Sequence, residues 1–563
     1  MLSSYVLLFI HKYNSGFITY FYPVAVALSL GSSFISGLIL ARNKQSAFSL
    51  ATAHRRINSP VGFSLPTQDG GYINVPNAFR GNLVLGGAGA GKSFSIGEPI
   101  IEQFAEKNLA GIIYDFKFPV LAEVVQQAMA LAALKRTIIK EKNDPLKAEA
   151  QEPEVQLHII NFRDLGRTER VNPLRAEDMP VVAYAEEYSR AIINNLNTNT
   201  IKNTGEFFST SAVAFLTAII WFYRKNYPKY CTIPHVVATA LYKDFRHVLS
   251  MLDTDVECGD MVRSLITAVE SKAEKQIAGV VATLQIILTR INSPEMVWVL
   301  TPNEEKGEGF SLDLNDPKMP KLLCIGNDPT LKDSFSPVIS CIIAVALKLM
   351  NQQGKHPSYV FLDEAATIYV PGLEVIPATA RSNKIATIYM SQDLSQMVDS
   401  YGREKMQVMI SNLNNWFIGK VNNIETAELI SKMVGREEKE MVSTSTGSSS
   451  AGYGQQSRSH NQNVSYQERN LVRIQDAVSL EQGEFIGQTV ETDQIFFKGV
   501  IYRGDAPAER MALEPFVQFT DEKQLIQETD IKATIIQANF QQVREQVKDT
   551  VLLYPNTLAI QVE

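Results

Sequence analysis

Short runs of apolar residues alternate along the chain with longer helical patterns, the arrangement of an α/β protein with a mostly parallel sheet. The runs are Asn82 to Leu85, Ala110 to Phe116, Val155 to Phe162, Lys321 to Gly326, Tyr359 to Leu362, Ala386 to Met390 and Trp416 to Val421. Several are apolar throughout, as strands buried on both faces of a parallel sheet are. Between Pro180 and about Pro294 the period changes. Phe208, Ala212, Phe215, Ile219 and Phe222 line one helix face, and Glu274 to Ile291 has a similar look. This predicts an all-helical domain inserted between strands of the sheet. The uncharged run Val338 to Leu347 is too short to span a bilayer and predicts a buried helix packed on the sheet. Ser443 to Ser465, rich in Ser, Gly, Gln and Asn, is expected to be a mobile loop. Strand-like runs return at Gly483 to Ile486 and Gln494 to Ile501, and a polar tail follows.

The amino terminus has a different pattern. No residue from Phe17 to Leu40 is charged, and at roughly 1.5 Å per residue that stretch can cross a bilayer core of roughly 30 Å. Arg42, Lys44, Arg55 and Arg56 follow it, which by the positive-inside bias places the remainder in the cytoplasm. A signal peptide would instead carry its basic residues ahead of the apolar run. The expected organisation is therefore an N-terminal membrane anchor over 1–45 and a nucleotide-binding domain over 46–180. An inserted all-α domain follows over 181–298, then the second part of the nucleotide-binding domain over 299–520 and a C-terminal tail over 521–563.

An apolar fraction of 45% is ordinary for a folded chain of 563 residues. A net charge of −7 excludes the global basic excess of a nucleic-acid coat protein, so any DNA contact must be local. Cys231, Cys258, Cys324 and Cys341 are scattered, without a CxxC pair, and read as reduced cytosolic thiols.

The chemistry begins at Gly86-Gly87-Ala88-Gly89-Ala90-Gly91-Lys92-Ser93, which fits GxxxxGK[ST] between a strand and a helix over Ser95 to Phe104, with Phe94 beside it counted among the nucleotide-binding residues. In such a loop backbone N–H groups turn toward phosphate oxygens, the lysine reaches the β- and γ-phosphates, and the serine ligates Mg²⁺. A glycine-rich turn is the alternative. Tyr359 to Leu362 runs into Asp363 and Glu364, where Asp363 would hold Mg²⁺ through water and Glu364 would deprotonate the attacking water. Two carboxylates at a helix start, favoured by the dipole, would look the same. Gln392 ends the strand Ala386 to Met390 and either reads the γ-phosphate or caps a turn. Arg381, ahead of that strand in a segment expected to be exposed, is either an arginine finger for a neighbouring subunit or a solvated charge. Arg163, Arg167, Arg170, Lys272 and Lys275 are candidates for phosphate contacts with DNA, or are solvated surface charges.

Together with Asp115-Phe116-Lys117, Asn172-Pro173-Leu174 and Ile424 to Ser431, these pieces resemble the coupling proteins of type IV secretion and conjugation, the TraG/TraD-like family. The likeness runs from about Asn82 to Gly435. It implies a RecA-like P-loop motor domain with an inserted all-α domain and an N-terminal transmembrane anchor. It also implies a bacterial inner-membrane location with the motor in the cytoplasm, ATP and Mg²⁺ as cofactors, and a homo-hexamer that delivers DNA with its relaxase to the secretion channel. By the resemblance Lys92, Ser93, Asp363, Glu364 and Gln392 take the roles argued above, and Arg381 acts in trans. The family's Asp-Pro-Lys-Gly differs here, with Phe116 and Phe118 in place of proline and glycine.

Other functions share parts of this pattern. A coupling ATPase for protein effectors would keep every motor motif. A chromosome-segregation translocase of the FtsK/HerA kind shares the core, but the helical insertion and the short link from anchor to motor differ from it. A structural receptor that binds nucleotide without hydrolysis would have no need of Glu364.

Overall fold

Apolar residues that alternate between two faces build the centre of the molecule. The computed structural model describes residues 50–142, 153–196, 207–451, 455–504, 506–507, 509–513 and 528–558; the expected anchor over 1–45 lies outside them. An antiparallel pair, β1 (Phe63–Pro66) and β2 (Tyr72–Val75), precedes the main sheet. Seven mutually parallel strands follow: β3 (Asn82–Leu85), β4 (Ala110–Asp115), β5 (Gln156–Ile160), β6 (Lys321–Gly326), β7 (Ser358–Leu362), β8 (Ile385–Ser391) and β9 (Asn415–Ile418). A separate ribbon, β10 (Arg436–Ala451) and β11 (Gln455–Asn470), leaves the body before β12 (Glu484–Gln488) and β13 (Phe496–Val500) close one side of the sheet antiparallel. The order across the nine strands is β13-β12-β9-β3-β8-β7-β4-β6-β5.

Successive side chains of a strand enter different cores. Ile112, Leu323, Val360, Leu362 and Tyr389 belong to one, and Ile113, Cys324, Tyr359, Phe361 and Met390 to the other. The second core is covered by the helices Glu98–Glu106 and Val120–Lys142. The first is covered by Val182–Leu196 and Lys332–Met350, and merges with a helical region that, among the described residues, has eight α-helices between β5 and β6, from Val182–Leu196 to Pro294–Leu300. Within that region Ala212, Phe215, Ile219 and Phe222 are fully buried, as their spacing predicts. Lys332–Met350 is the one helix among the described residues long and apolar enough to cross a membrane, and it is mostly buried in the core.

One expectation needs correction. The Ser/Gly-rich stretch 443–465 is not a loop for most of its length but an antiparallel ladder in continuous register from Arg436↔Asn470 to Ala451↔Gln455. Backbone hydrogen bonds make that ladder without an apolar face, which composition alone cannot register. Its base is pinned where Leu471 N–H meets the Gly435 carbonyl at 3.1 Å and where Asn470 Nδ2 donates to Ser431 Oγ at 3.0 Å. The tail contains the helix Glu528–Leu552, which docks on the helical region through buried Val543, Val547 and Val551.

The docking is also polar. His235 meets Thr232 Oγ1 at 2.8 Å and Gln546 Oε1 at 3.0 Å, and His247 Nε2 donates to the Tyr554 carbonyl at 2.7 Å. Burial pushes the His235 imidazole down to about 4. A depressed pKa means that the folded state prefers the neutral ring, so this contribution is complete above about 6.5 and is lost as pH falls toward 4. The loss is expected to reach at most about 3 kcal/mol. Thermal unfolding across pH 4 to 7 should therefore show a shallower acid decline in His235→Gln than in the parent.

Candidate nucleotide-binding site

The site forms where β3, β7 and β8 end at the same edge of the parallel sheet, the place at which open α/β sheets bind ligands. After β3 the chain turns through Gly86 to Gly91. Gly89 and Gly91 have φ of 79° and 92°, a region that favours glycine, and a Cβ on Gly91 would also stand tightly against the Gly483 backbone, 3.1 Å from its nitrogen. The loop is held from both sides: Gly86 N–H donates to the Ser391 carbonyl at 3.2 Å, and Gly87 N–H to the Lys420 carbonyl at 2.7 Å. A π-helical turn, Lys92–Gly97, carries Lys92 and Ser93 before the regular helix Glu98–Glu106 begins, a local irregularity often found at functional sites. Phe94, on the same turn, is exposed, with the Arg503 guanidinium 5.4 Å from its ring centroid.

Five of the predicted site residues meet here. Ser93 Oγ donates to Asp363 Oδ1 at 2.9 Å. Lys92 Nζ donates to the Gly86 carbonyl and lies in the field of Glu364 and Asp363. Burial pushes the lysine pKa down, and the two carboxylates oppose that. Burial pushes Asp363 up against the Ser93 hydroxyl and the Lys92 charge, and pushes Glu364 up against Lys92, Ser391 and the Gln392 N–H. Gln392 enters through its backbone, whose N–H donates to Glu364 Oε1 at 3.1 Å and fixes the carboxylate's direction. The donor set of one hydroxyl and one carboxylate is the hard-oxygen pair that suits Mg²⁺.

Arg381 is not part of this cluster within its own chain. It is exposed ahead of β8, with its charge acting on Glu491, while the site lies beyond the strand's other end. Of the candidate DNA contacts, Arg170 must be withdrawn: it is buried, ion-paired to Glu308, bonded to the Trp298 carbonyl at 2.7 Å and stacked on the Trp298 ring at 3.9 Å. Arg167 holds the Leu513 carbonyl at 2.8 Å, and Arg163 pairs with Asp328 while remaining largely exposed. Lys272 is exposed, and Lys275 lies on the helix Glu274–Leu288.

Two residues next to the site were noted in sequence without a role. Asp115, at the end of β4, accepts from Lys117 N–H at 3.1 Å, Leu121 N–H at 2.9 Å and Ala122 N–H at 3.1 Å, so it caps the helix Val120–Lys142. Burial pushes its carboxyl up to about 7, with the Asp363 charge adding to the effect. Lys117 contributes positive charge to both Lys92 and Asp363. Phe118 fills the space over Gly326, where an added Cβ would run into its ring, so the aromatic residue and the glycine are matched.

Replacing Asp115 by Ala should leave two buried helix N–H groups unpaired and cost about 1–3 kcal/mol. Asp115→Asn, which keeps one acceptor oxygen, should cost less. Chemical denaturation of the two variants at pH 8 checks the order.

Residues 357–482 match the family described as the TraM recognition site of TraD and TraG. No curated protein sequence matches the chain. Among solved structures, the unbound bacterial conjugative coupling protein TrwBdeltaN70 is similar with a TM-score of 0.56 and 15% identity, over 78% of this chain and 88% of that one. TrwB with ADP and Mg²⁺ gives 0.54 and 15% over 78% and 87%, and TrwB with a non-hydrolysable GTP analogue gives 0.53 and 15% over 76% and 88%. At that identity the structural likeness speaks for the fold, a RecA-like α/β core with helical parts. The sequence likeness to TraD and TraG is confined to residues 357–482, and the fold is similar to that of the conjugative coupling protein TrwB.

Proposed function

We propose that the chain is a membrane-anchored ATPase that couples DNA and its relaxase to a type IV secretion channel and drives conjugative transfer. The observation that carries the ATPase reading is the meeting of Ser93 with Asp363 beside Lys92 and Glu364 at one sheet edge. Gly86 to Gly91 would cradle phosphate oxygens with backbone N–H groups, Lys92 would hold the β- and γ-phosphates, and Ser93 with Asp363 would hold Mg²⁺. The ion would neutralise charge on the transferred phosphoryl group. Glu364, oriented by the Gln392 N–H, would accept the proton of the attacking water. Its raised pKa brings it toward the value of an effective base at neutral pH.

The coupling reading rests on the family and on the described match of residues 357–482. That match supports a surface for a relaxosome component on this part of the chain. Arg381, exposed and away from its own site, would act in trans in a homo-hexamer. The uncharged Phe17 to Leu40 would anchor the assembly in the bacterial inner membrane with the motor in the cytoplasm.

Hydrolysis by the detergent-solubilised full chain should rise with added DNA and fall more steeply than enzyme concentration on dilution. Rates unaffected by both would count against the reading. Glu364→Gln keeps an oxygen for the Gln392 N–H but cannot take a proton. It should bind nucleotide within about threefold of the parent while turnover drops at least about a hundredfold. Arg381→Ala should lose turnover comparably, and mixing it with the Lys92→Ala protein should restore activity if the arginine acts across subunits.

A further inference from the structure

The γ-phosphate end of the candidate site has a definite side. Ser93, Asp363, Glu364 and Gln392 all lie toward β7 and β8, to one side of β3. On the other side of β3, toward β9 and β12, the outer shoulder of the phosphate loop opens on a cavity of about 490 Å³. That size lies within the range of about 300–1,000 Å³ usual for small-ligand sites. Gly87 to Ala90 form one wall, and Lys420, Asn422 and Ser479 to Gln482 form the rest. The facing wall is attached to the loop itself: Gly483 N–H donates to the Ala90 carbonyl at 3.1 Å, directly after Gln482.

The chemistry of the walls is specific. Lys420, Asn422, Glu481 and Gln482 are exposed, and among the described residues the fold gives none of their side chains a hydrogen-bond or ion-pair partner. Four polar side chains thus converge on one cavity without a structural use. No aromatic ring lines it, so a planar base would find edge contacts and no stacking partner. A carboxylate beside a phosphate-binding loop would repel a phosphate. It suits a pair of neighbouring hydroxyls, each of which can donate to one of its oxygens.

From this arrangement we infer that the cavity is the nucleoside subsite, that its ligand is a ribonucleoside, and that Glu481 reads the ribose hydroxyls. The inference rests on the nucleotide-binding reading and adds to it a direction for the nucleotide and a sugar preference. Lys420 and Asn422 face the phosphate nearest the sugar and the edge of the base, with Asn422 Nδ2 3.4 Å from where a Cβ on Gly87 would stand. The lack of a stacking surface makes the subsite tolerant of base identity and selective for the sugar. Glu481 is a positioning residue: it touches the part of the nucleotide that does not react.

The test is steady-state hydrolysis by the full-length protein with ATP, GTP and 2′-deoxy-ATP, for the parent, Glu481→Ala and Glu481→Gln. A hydrogen bond from a sugar hydroxyl to a charged acceptor corresponds to about tenfold in affinity. The parent should therefore show a KM for deoxy-ATP about tenfold above that for ATP, with GTP close to ATP. Glu481→Ala should raise the KM for ATP about tenfold with a much smaller change in kcat, and should bring ATP and deoxy-ATP level. Glu481→Gln should fall between. If the parent hydrolyses ATP and deoxy-ATP alike and Glu481→Ala leaves both KM values unchanged, the subsite is overturned and the ATPase reading stands. If the parent hydrolyses none of the three, both fall together. Thermal unfolding of each variant separates loss of the sugar contact from loss of the fold, and an unfolded Glu481→Ala leaves the decision to the ATP to deoxy-ATP ratio of the parent.

Discussion

Three carboxylates, Asp115, Asp363 and Glu364, and the ammonium group of Lys92 share one poorly solvated edge of a sheet that is buried on both faces, with the exposed Lys117 adding positive charge beside them. Water would stabilise such charges, but the sheet excludes it, and each carboxyl is pushed up by burial. What keeps them tolerable is local: Ser93 for Asp363, the Gln392 N–H for Glu364, and three N–H groups for Asp115. The balance is not complete, since two positive charges face three acidic groups. A site of this kind gains most from a bound cation and phosphates, because each new charge meets partners already oriented. The glycine loop, the π-helical turn and the cap on Val120–Lys142 follow from the need to bring those partners to one point.

What could be read from the sequence was what is encoded locally. Lys321–Gly326 is a strand over the same residues its apolar run predicts, and Asn82–Leu85 likewise, because a strand covered on both faces leaves an unbroken run of apolar residues. The phosphate loop and Asp363-Glu364 were legible for a similar reason: each motif is contiguous. The misreadings are of long-range origin. Arg170 looks like a surface cation until Glu308 and Trp298, more than a hundred residues later, fold around it. The ribbon β10–β11 has a composition that suggests no structure, yet a ladder needs only backbone partners in register. The tail helix did carry a signal. Ile536, Phe540, Val543, Val547 and Val551 are spaced four, three, four and four apart, a helical stripe easily lost in a polar segment.

Similarity at 15% identity is a statement about which positions are apolar more than about which residues occupy them. Cores tolerate wide substitution when volume and pattern are kept, so a shared RecA-like fold can persist after most contacts have been replaced. Function does not survive on the same terms, because it resides in particular side chains mounted on the fold. For this chain the two kinds of information overlap in 357–482. That segment contains β7 with its carboxylates, Gln392, the polar ribbon and the Ser479 to Gln482 wall. The sequence likeness is therefore concentrated where the candidate chemistry and the polar ribbon both lie.

The chain beyond β13 gives the sheet and its helices a further constraint. Arg503 binds Glu102 at 2.9 and 3.0 Å and, with Arg510, closes on the buried carboxylate of Glu98, one turn after Ser93. Burial pushes Glu98 up, and the two guanidinium groups hold it back, so neither element is comfortable without the other. Farther on, Gln126 Nε2 donates to the Ala512 carbonyl at 3.1 Å and Arg167 Nε to the Leu513 carbonyl at 2.8 Å, which carries the same strand of chain over Val120–Lys142 and past β5. The helix Glu528–Leu552 then packs against the inserted helices. Described parts of the C-terminal stretch thus touch both the helix that leaves the glycine loop and the inserted helical region. A shift of Glu98–Glu106 would have to move these ion pairs or break them. Because breaking a buried pair is costly, a shift of Glu98–Glu106 would carry Arg503 and Arg510 with it.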